Sequence, residues 1–228
     1  MDGSLPAPLG SLGPEASTLA MRHISTVRLP PNTVVYYQED PAGTIYFVRS
    51  GHVRLTHVVE DGSVALYGIL PSGSHFGEVG PFSDGGYCDT ATTIDDVELA
   101  ALDVRAVDGG RAEQLELRGR LAELLADRLR AHMDMTRALY MPSLSSRLAL
   151  SLLRLLDTLG NTLTIRGEKV ECLGPVVTQR DLGALARGTR ENVNKTLRTW
   201  IKDGIVTIED RHIIVKSRAR LEALAYGE

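Results

Sequence analysis

The sequence predicts an α+β chain in three consecutive parts: an N-terminal antiparallel β-roll, one long helix, and a C-terminal winged helix-turn-helix. Three observations predict it. From Ile24 to about Asp103, short runs of apolar and polar residues are separated by turn residues. Over residues 111–140, apolar residues recur at steps of three and four. From Thr178 onward, two short capped helical patterns flank a Gly-containing turn, and two β-branched runs follow.

Composition sets the bounds. The chain has 228 residues, 43% hydrophobic and 24% charged, as expected of a globular protein with two modest domains. Cys88 and Cys172 are its only cysteines, so a disulfide framework is excluded and a reducing cytoplasm is expected. No apolar run approaches the roughly 18 residues of a membrane span, and Met1–Gly10 lacks the basic and apolar regions of a signal peptide. Residues 1–18 are rich in Gly, Pro and Ser and are expected to form a disordered tail.

Residues 19–110 are expected to form the roll. Its clearest strands are 34–37, 44–48, 53–59, 64–67 and 97–102, with turns at Pro30–Asn32, Asp40-Pro41, Ser50-Gly51, Asp61-Gly62, Pro71–Gly73 and Asp84–Gly86. With no helices between them, such strands suggest an antiparallel barrel or roll. Residues 111–140 then form a long helix with two apolar stripes. Leu117, Leu121 and Leu124 suit the roll. Leu125, Leu129, His132, Thr136 and Leu139 have the spacing of a coiled-coil seam. Two stripes imply two partners, the simplest second one being another copy of the chain. The alternative is that one subunit buries both. Pro142 disfavours α conformation at Met141, which places a hinge between domains there. Residues 141–228 follow as a DNA-binding domain whose first helix runs from Ser146 to Leu159, ended by Gly160.

Within that domain Thr178 and Thr189 are placed to cap the two short helices. Leu182, Leu185 and Ala186 give the first an apolar face; Val193, Leu197 and Ile201 give the second its own. Arg190, Glu191, Asn194 and Lys195 occupy the outward early turns of the second helix. Arg and Lys can read guanine O6/N7, and Glu can accept from cytosine N4. Thr178, Gln179, Arg180 and Thr189 complete the expected DNA-facing set. Asp203-Gly204 ends the helix, and Ile205–Ile208 with Ile213–Lys216 make a wing that offers Arg211, Lys216 or Arg218 to phosphate. An ordinary helical hairpin with charged faces is the alternative. Although the chain carries net charge −4, residues 176–228 hold 10 Lys/Arg against 7 Asp/Glu, the local positive balance that DNA requires.

The order roll, long helix, hinge and winged helix-turn-helix resembles the CRP/FNR family of bacterial transcription regulators. Three segments carry the resemblance: Ser50–Leu55 as the family's strand turn, Leu70–Phe82 as its cyclic nucleotide phosphate cassette, and Gly188–Lys195 as its recognition helix. The resemblance implies that Arg190, Glu191 and Lys195 read a TGTGA-like half-site, and that the N–H groups of Gly77, Glu78 and Val79 face a phosphate. It also implies that Glu78 accepts from a ribose hydroxyl. It implies partners too: double-stranded DNA, a second copy in a homodimer, and RNA polymerase; topology alone points to the Asn161–Glu171 connection as the surface that meets the polymerase. The chain departs from the family where cyclic-AMP binders place an arginine. Tyr87 stands there, followed by Cys88 and Asp89, and His132 and Met133 replace the pair of hydroxyl residues that meet adenine. Cyclic AMP is therefore not expected as effector. Either the ligand-free dimer is DNA-competent, with Tyr87, His132 and Met133 filling the pocket, or another ligand takes the site.

Other chemistry finds little purchase. Two distant cysteines exclude a four-cysteine iron–sulfur cluster. His52 and His57 lie five apart on one strand and point to opposite faces, while His75 sits in the cassette. Heme remains only an alternative, and no metal site or cofactor is expected. No nucleophile elbow, Walker loop or Rossmann fingerprint is present, so no catalytic residues and no enzyme are expected. The competing function is a nucleotide or heme sensor module that controls a partner protein.

Overall fold

The computed structural model describes residues 4–60, 62–83, 85–165 and 167–227, with the side chains of 137–139, 165 and 168 outside the description. It divides into two compact units, Met1–Ala131 and His132–Glu228.

The first unit is built on two antiparallel four-stranded sheets. One has the order β1 (Ile24–Leu29), β8 (Val97–Asp103), β3 (Thr44–Ser50), β6 (His75–Phe76); the other runs β2 (Val34–Tyr36), β7 (Thr90–Thr93), β4 (Val53–Val58), β5 (Val64–Leu70). Strand periodicity sorts the residues of β3 and β8 between two cores. Ile45, Phe47, Ala100 and Leu102 join Leu117, Leu121 and Leu124 on one face. Val48, Val97 and Leu99 join Tyr36, Phe76 and Tyr87 on the other. Both faces of β8 are thus covered, which explains why Val97–Leu102 reads as a nearly unbroken apolar run. The predicted turn residues Asp61 and Asp84 lie outside the described residues.

From residue 4 on, the expected disordered tail is folded instead; residues 1–3 lie outside the described residues. Residues Ala7–Leu9 make a 3-10 turn, and Pro14, pre-set for a helical φ, starts α1 (Pro14–His23). Leu9 is fully buried, with Leu5, Leu12 and Leu19 packed beside it; burying one leucine contributes about 1.5–3 kcal/mol. The backbone of this segment is also tied down. Arg120 Nε donates to Pro8 O at 2.7 Å, Glu116 accepts from Gly13 N at 2.5 Å, and Arg49 donates to Ser4 O at 2.8 Å. Composition suggested disorder, but the apolar spacing of Leu5, Leu9 and Leu12 decides the matter.

The long helix is α2 (Ala112–Leu139), continuous across the boundary between the units. Leu117, Leu121 and Leu124 are buried in the first unit. Of the second stripe, Leu125 is half-buried and Leu129 is 57% exposed; Met133, outside the stripe, is 59% exposed. His132 and Thr136 are exposed too, and the side chain of Leu139 lies outside the description. After the break that contains Pro142, α3 (Leu144–Leu159) starts two residues before the expected Ser146, because Ser143 caps it by accepting from Ser146 N.

The second unit packs α3 against α4 (Gln179–Ala186) and α6 (Arg218–Tyr226), beside a sheet ordered β11 (Val206–Glu209), β12 (His212–Val215), β10 (Glu168–Leu173), β9 (Asn161–Ile165). The remaining helix, α5 (Arg190–Lys202), follows α4.

Candidate nucleic-acid interface and effector pocket

Two caps and one close backbone approach fix the α4–α5 pair. Thr178 Oγ1 accepts from Asp181 N while the Asp181 carboxylate accepts from Thr178 N at 2.9 Å, a reciprocal capping box. Thr189 Oγ1 accepts from Asn192 N at 3.3 Å. The hydroxyls of both threonines are thus engaged in capping. The turn places Arg187 in the left-handed region at φ 49°, so the residue with positive φ is not the glycine after it. Gly188 N donates to Gly183 O at 2.8 Å. A Cβ at Gly183 would lie 2.8 Å from Gly188 O, so the glycine this turn needs sits inside α4.

Helix α5 buries Val193, Leu197 and Trp200. The sequence expectation had Ile201 there, but Ile201 is 40% exposed and Trp200 takes the inner position. At 100° per residue both fit the stripe, and the larger ring wins the core. The outer face carries Arg190, Glu191 and Lys195 exposed, with Asn194 half-buried. A shallow cavity of about 550 Å³ lies along it, lined by Glu191, Asn194, Lys195, Arg198, Thr199 and Lys202. Arg198 and Lys202 extend the cationic stripe two turns beyond the predicted set. Arg180 and Lys216 are exposed, and Gln179 is half-buried. The wing turn puts Asp210 and Arg211 at φ 48° and 65°. Arg218 belongs elsewhere: its guanidinium meets Asp157 at 2.6 Å, Glu171 at 2.7 Å and Glu222 at 3.0 Å. It ties α3, β10 and α6 together.

In the first unit the cassette is folded back on itself. Gly77 has φ +81°, and a Cβ there would come within 3.1 Å of the Tyr87 ring. Tyr87 is only 5% exposed and stacks on Tyr36 with centroids 3.6 Å apart. Its hydroxyl donates to Thr44 O at 2.9 Å. Burial holds the phenol well above its ordinary range. Glu78, 1% exposed, accepts from Arg128 Nε of α2 at 2.7 Å. Arg128 Nη2 donates to His75 O at 2.7 Å, and His75 Nε2 lies 3.3 Å from Leu124 O. Asp89, also buried, accepts from the Tyr36 hydroxyl at 2.7 Å, and burial raises its carboxyl. Val79 is half-buried at the head of a 3-10 turn, Gly80–Phe82.

Cys88 is exposed as a residue, yet partial burial and the neighbouring Asp89 and Glu78 push its thiol up to about 11. The neutral thiol is a poor nucleophile. His57 faces Cys88 O at 3.0 Å, and His52 faces Asp95 at 2.6 Å. The roll histidines therefore have separate partners, and no group of three metal-ligating side chains occurs among the described residues. Of the pocket residues expected from sequence, Gly77, Glu78, Val79, Tyr87 and Cys88 fall in one unit, and His132 and Met133 in the other, both exposed.

The expectation missed Arg128 and Tyr36, and had Asp89 only as a carboxylate near Tyr87. For Arg128 a signal existed: it continues the buried stripe of Leu117, Leu121 and Leu124 at helical spacing. A cation on such a stripe calls for a buried carboxylate.

Two family descriptions match the chain: the cyclic nucleotide-binding domain over residues 26–109 and the Crp-like helix-turn-helix domain over residues 146–224. The chain is 30% identical over 226 residues to the Cyclic AMP receptor protein of Thermus thermophilus, covering 95% of each. It is 27% identical over 208 residues to a CRP-like cAMP-activated global transcriptional regulator of Mycobacterium tuberculosis, covering 91% of each. The solved structure of a CRP-family transcriptional regulator, also from Thermus thermophilus, superposes with a TM-score of 0.72 at 25% identity, covering 89% of this chain and 97% of that one.

Proposed function

Because this chain belongs to the CRP/FNR family of transcription regulators, we propose that it acts as a homodimer on a palindromic TGTGA-like site without requiring cyclic AMP. The observation that carries the DNA reading is the outer face of α5. Arg190, Glu191 and Lys195 stand exposed on its first turns, next to the capped N-terminus that enters a major groove in this motif. Arg190 and Lys195 read guanine and Glu191 reads cytosine; Arg180 and Lys216 hold phosphate on either side. Two copies meet along Leu125, Leu129, His132, Thr136 and Leu139 of α2, so the half-sites form a palindrome. RNA polymerase is met through the Asn161–Glu171 hairpin, and the protein works in the cytoplasm, where its DNA lies. No described helix is long and apolar enough to cross a membrane.

Independence from cyclic AMP rests on Tyr87. A cyclic phosphate needs a cation or a full set of donors to offset its desolvation. At the family's arginine position this chain has a buried phenol, with the Asp89 carboxylate two residues on. The nearby guanidinium of Arg128 is bonded to Glu78. The names of the two relatives above favour the opposite reading, in which cyclic AMP activates this chain as well.

One experiment separates them. Purified protein is titrated onto a palindromic fragment without ligand, beside calorimetry with cyclic AMP and cyclic GMP. Tight ligand-free binding that Arg190→Ala weakens by about 1–3 kcal/mol, with relaxed preference at one base pair, is the expected result. Lys216→Ala should weaken all sequences evenly and lower the salt slope. Micromolar cyclic AMP binding that switches on DNA affinity would overturn the ligand-free reading.

A further inference from the structure

The break between α2 and α3, where the sequence predicts a hinge, is only residues 140–143, and two arginines of α3 tie it down. Arg154 Nη2 donates at 2.6 Å to Asp134 O, a carbonyl in the last two turns of α2. Arg147 donates from Nη1 to Met141 O at 3.0 Å, within the break itself, and from Nε to Ala186 O at 2.8 Å. Ala186 ends α4, so its carbonyl is one that helix geometry leaves open, and a guanidinium there answers the negative end of the helix. The fork of arginine lets Arg147 serve both acceptors at once. Arg147 and Arg154 are both half-buried, and their spacing puts them on one face of α3. The start of α3 also rests on the helix-turn-helix, since a Cβ at Gly188 would meet Leu144 Cδ1 at 2.6 Å. Just upstream the pattern reverses. Residues 129–133 of α2 are exposed one after another, whereas Asp134 and Met135 are half-buried. The boundary between the two compact units falls inside that exposed stretch, between Ala131 and His132.

We propose that Arg154, with Arg147, is a positioning residue that fuses the last two turns of α2 to the DNA-binding unit. The Pro142 break is then a fixed elbow, and bending falls to residues 129–133. A hinge needs a few residues free to change φ and ψ. The Met141 carbonyl is held by Arg147, while residues 129–133 bury no side chain in the chain itself. Helix α5 therefore moves with the end of α2 as one body. The consequence for DNA rests on the homodimer reading above. A loose elbow still lets each α5 dock alone, but it no longer holds the pair at the spacing of two half-sites.

The test uses the full chain in wild-type form, as Arg154→Met and as Arg154→Lys. In Arg154→Met, amide hydrogen exchange over residues 134–139 should rise about tenfold, with 179–186 and 190–202 unchanged. Arg154→Lys keeps a donor for the same carbonyl and should recover most of the protection. Affinity of Arg154→Met for the palindromic fragment should fall about tenfold, while its affinity for a single half-site stays at the wild-type value. Wild-type exchange over 134–139 in Arg154→Met would overturn the proposal, and so would equal losses on the two fragments. A second measurement leaves Arg154 in place. In the Leu129→Glu chain, which lacks the cover of the proposed seam, residues 129–133 should be about tenfold less protected than 134–139. The reverse order would return the hinge to the break. If the wild-type chain binds the palindrome no better than the half-site, the homodimer reading falls, while the exchange measurements still decide whether Arg154 holds the helix.

Discussion

His75 is mostly buried, and four features face it: Glu78 from its own segment, and Arg128, Asp127 and the Leu124 carbonyl from α2. Burial is the largest influence and lowers its pKa below the ordinary 6.5. The folded chain then holds a neutral ring in a range where the unfolded chain takes up a proton. Its contribution to stability is therefore complete above pH 6.5 and is lost as the pH falls below that value. Asp89 works in the opposite sense. Burial raises its carboxyl above 3.8, so just above that value the folded chain binds more protons and gains stability on acidification. His75→Phe, which keeps a ring in contact with Phe47, should flatten the melting temperature of the roll between about pH 7 and pH 5. Thermal melts of both proteins at three pH values check it; an unchanged slope would remove His75 from the account.

At the scale of elements, Gly183 is the most constrained position of the helix-turn-helix. Its missing Cβ leaves room for Gly188 O, and Gly183→Ala places two atoms 2.8 Å apart with backbone on one side. The expected cost is about 1–3 kcal/mol, read in a denaturant melt, with weaker DNA binding as α4 and α5 splay. Composition drew attention to the glycine in the turn, Gly188, because a sequence shows where a turn lies but not which backbone crosses it. The same limit explains the other misses. The strands at 34–36, 44–50, 53–58 and 64–70 were legible from alternation and turn residues. The pair β6 and β7 were not: His75–Phe76 is two residues long, and Thr90–Thr93 has an alanine as its only apolar residue. The caps at Thr178 and Thr189 were legible because capping is local chemistry. Arg128 and Glu78 are 50 residues apart, and Tyr36 and Asp89 are 53 apart; such pairs depend on a register that neither segment carries alone.

For the whole molecule, assembly and charge decide behaviour. Leu129→Glu sets carboxylates against one another across the proposed seam. Light scattering should then report a monomer that no longer retains palindromic DNA, while circular dichroism still shows the folded roll; a dimer of unchanged mass would refute the seam. A net charge of −4 overall, with 10 Lys/Arg against 7 Asp/Glu over residues 176–228, favours the approach to DNA through that end. The ordered N-terminal segment bears on a different matter, the timing of synthesis. Its ties to α2 span 103 and 112 residues of chain. At ribosomal rates of about 5–20 residues per second, Leu9 and its neighbours wait roughly 5–20 s before their partners on α2 have been made. Throughout that interval the leucines at 5, 9 and 12 have no finished surface to cover. A nascent chain paused before residue 112 would therefore present them to chaperones, and one released after residue 124 would not.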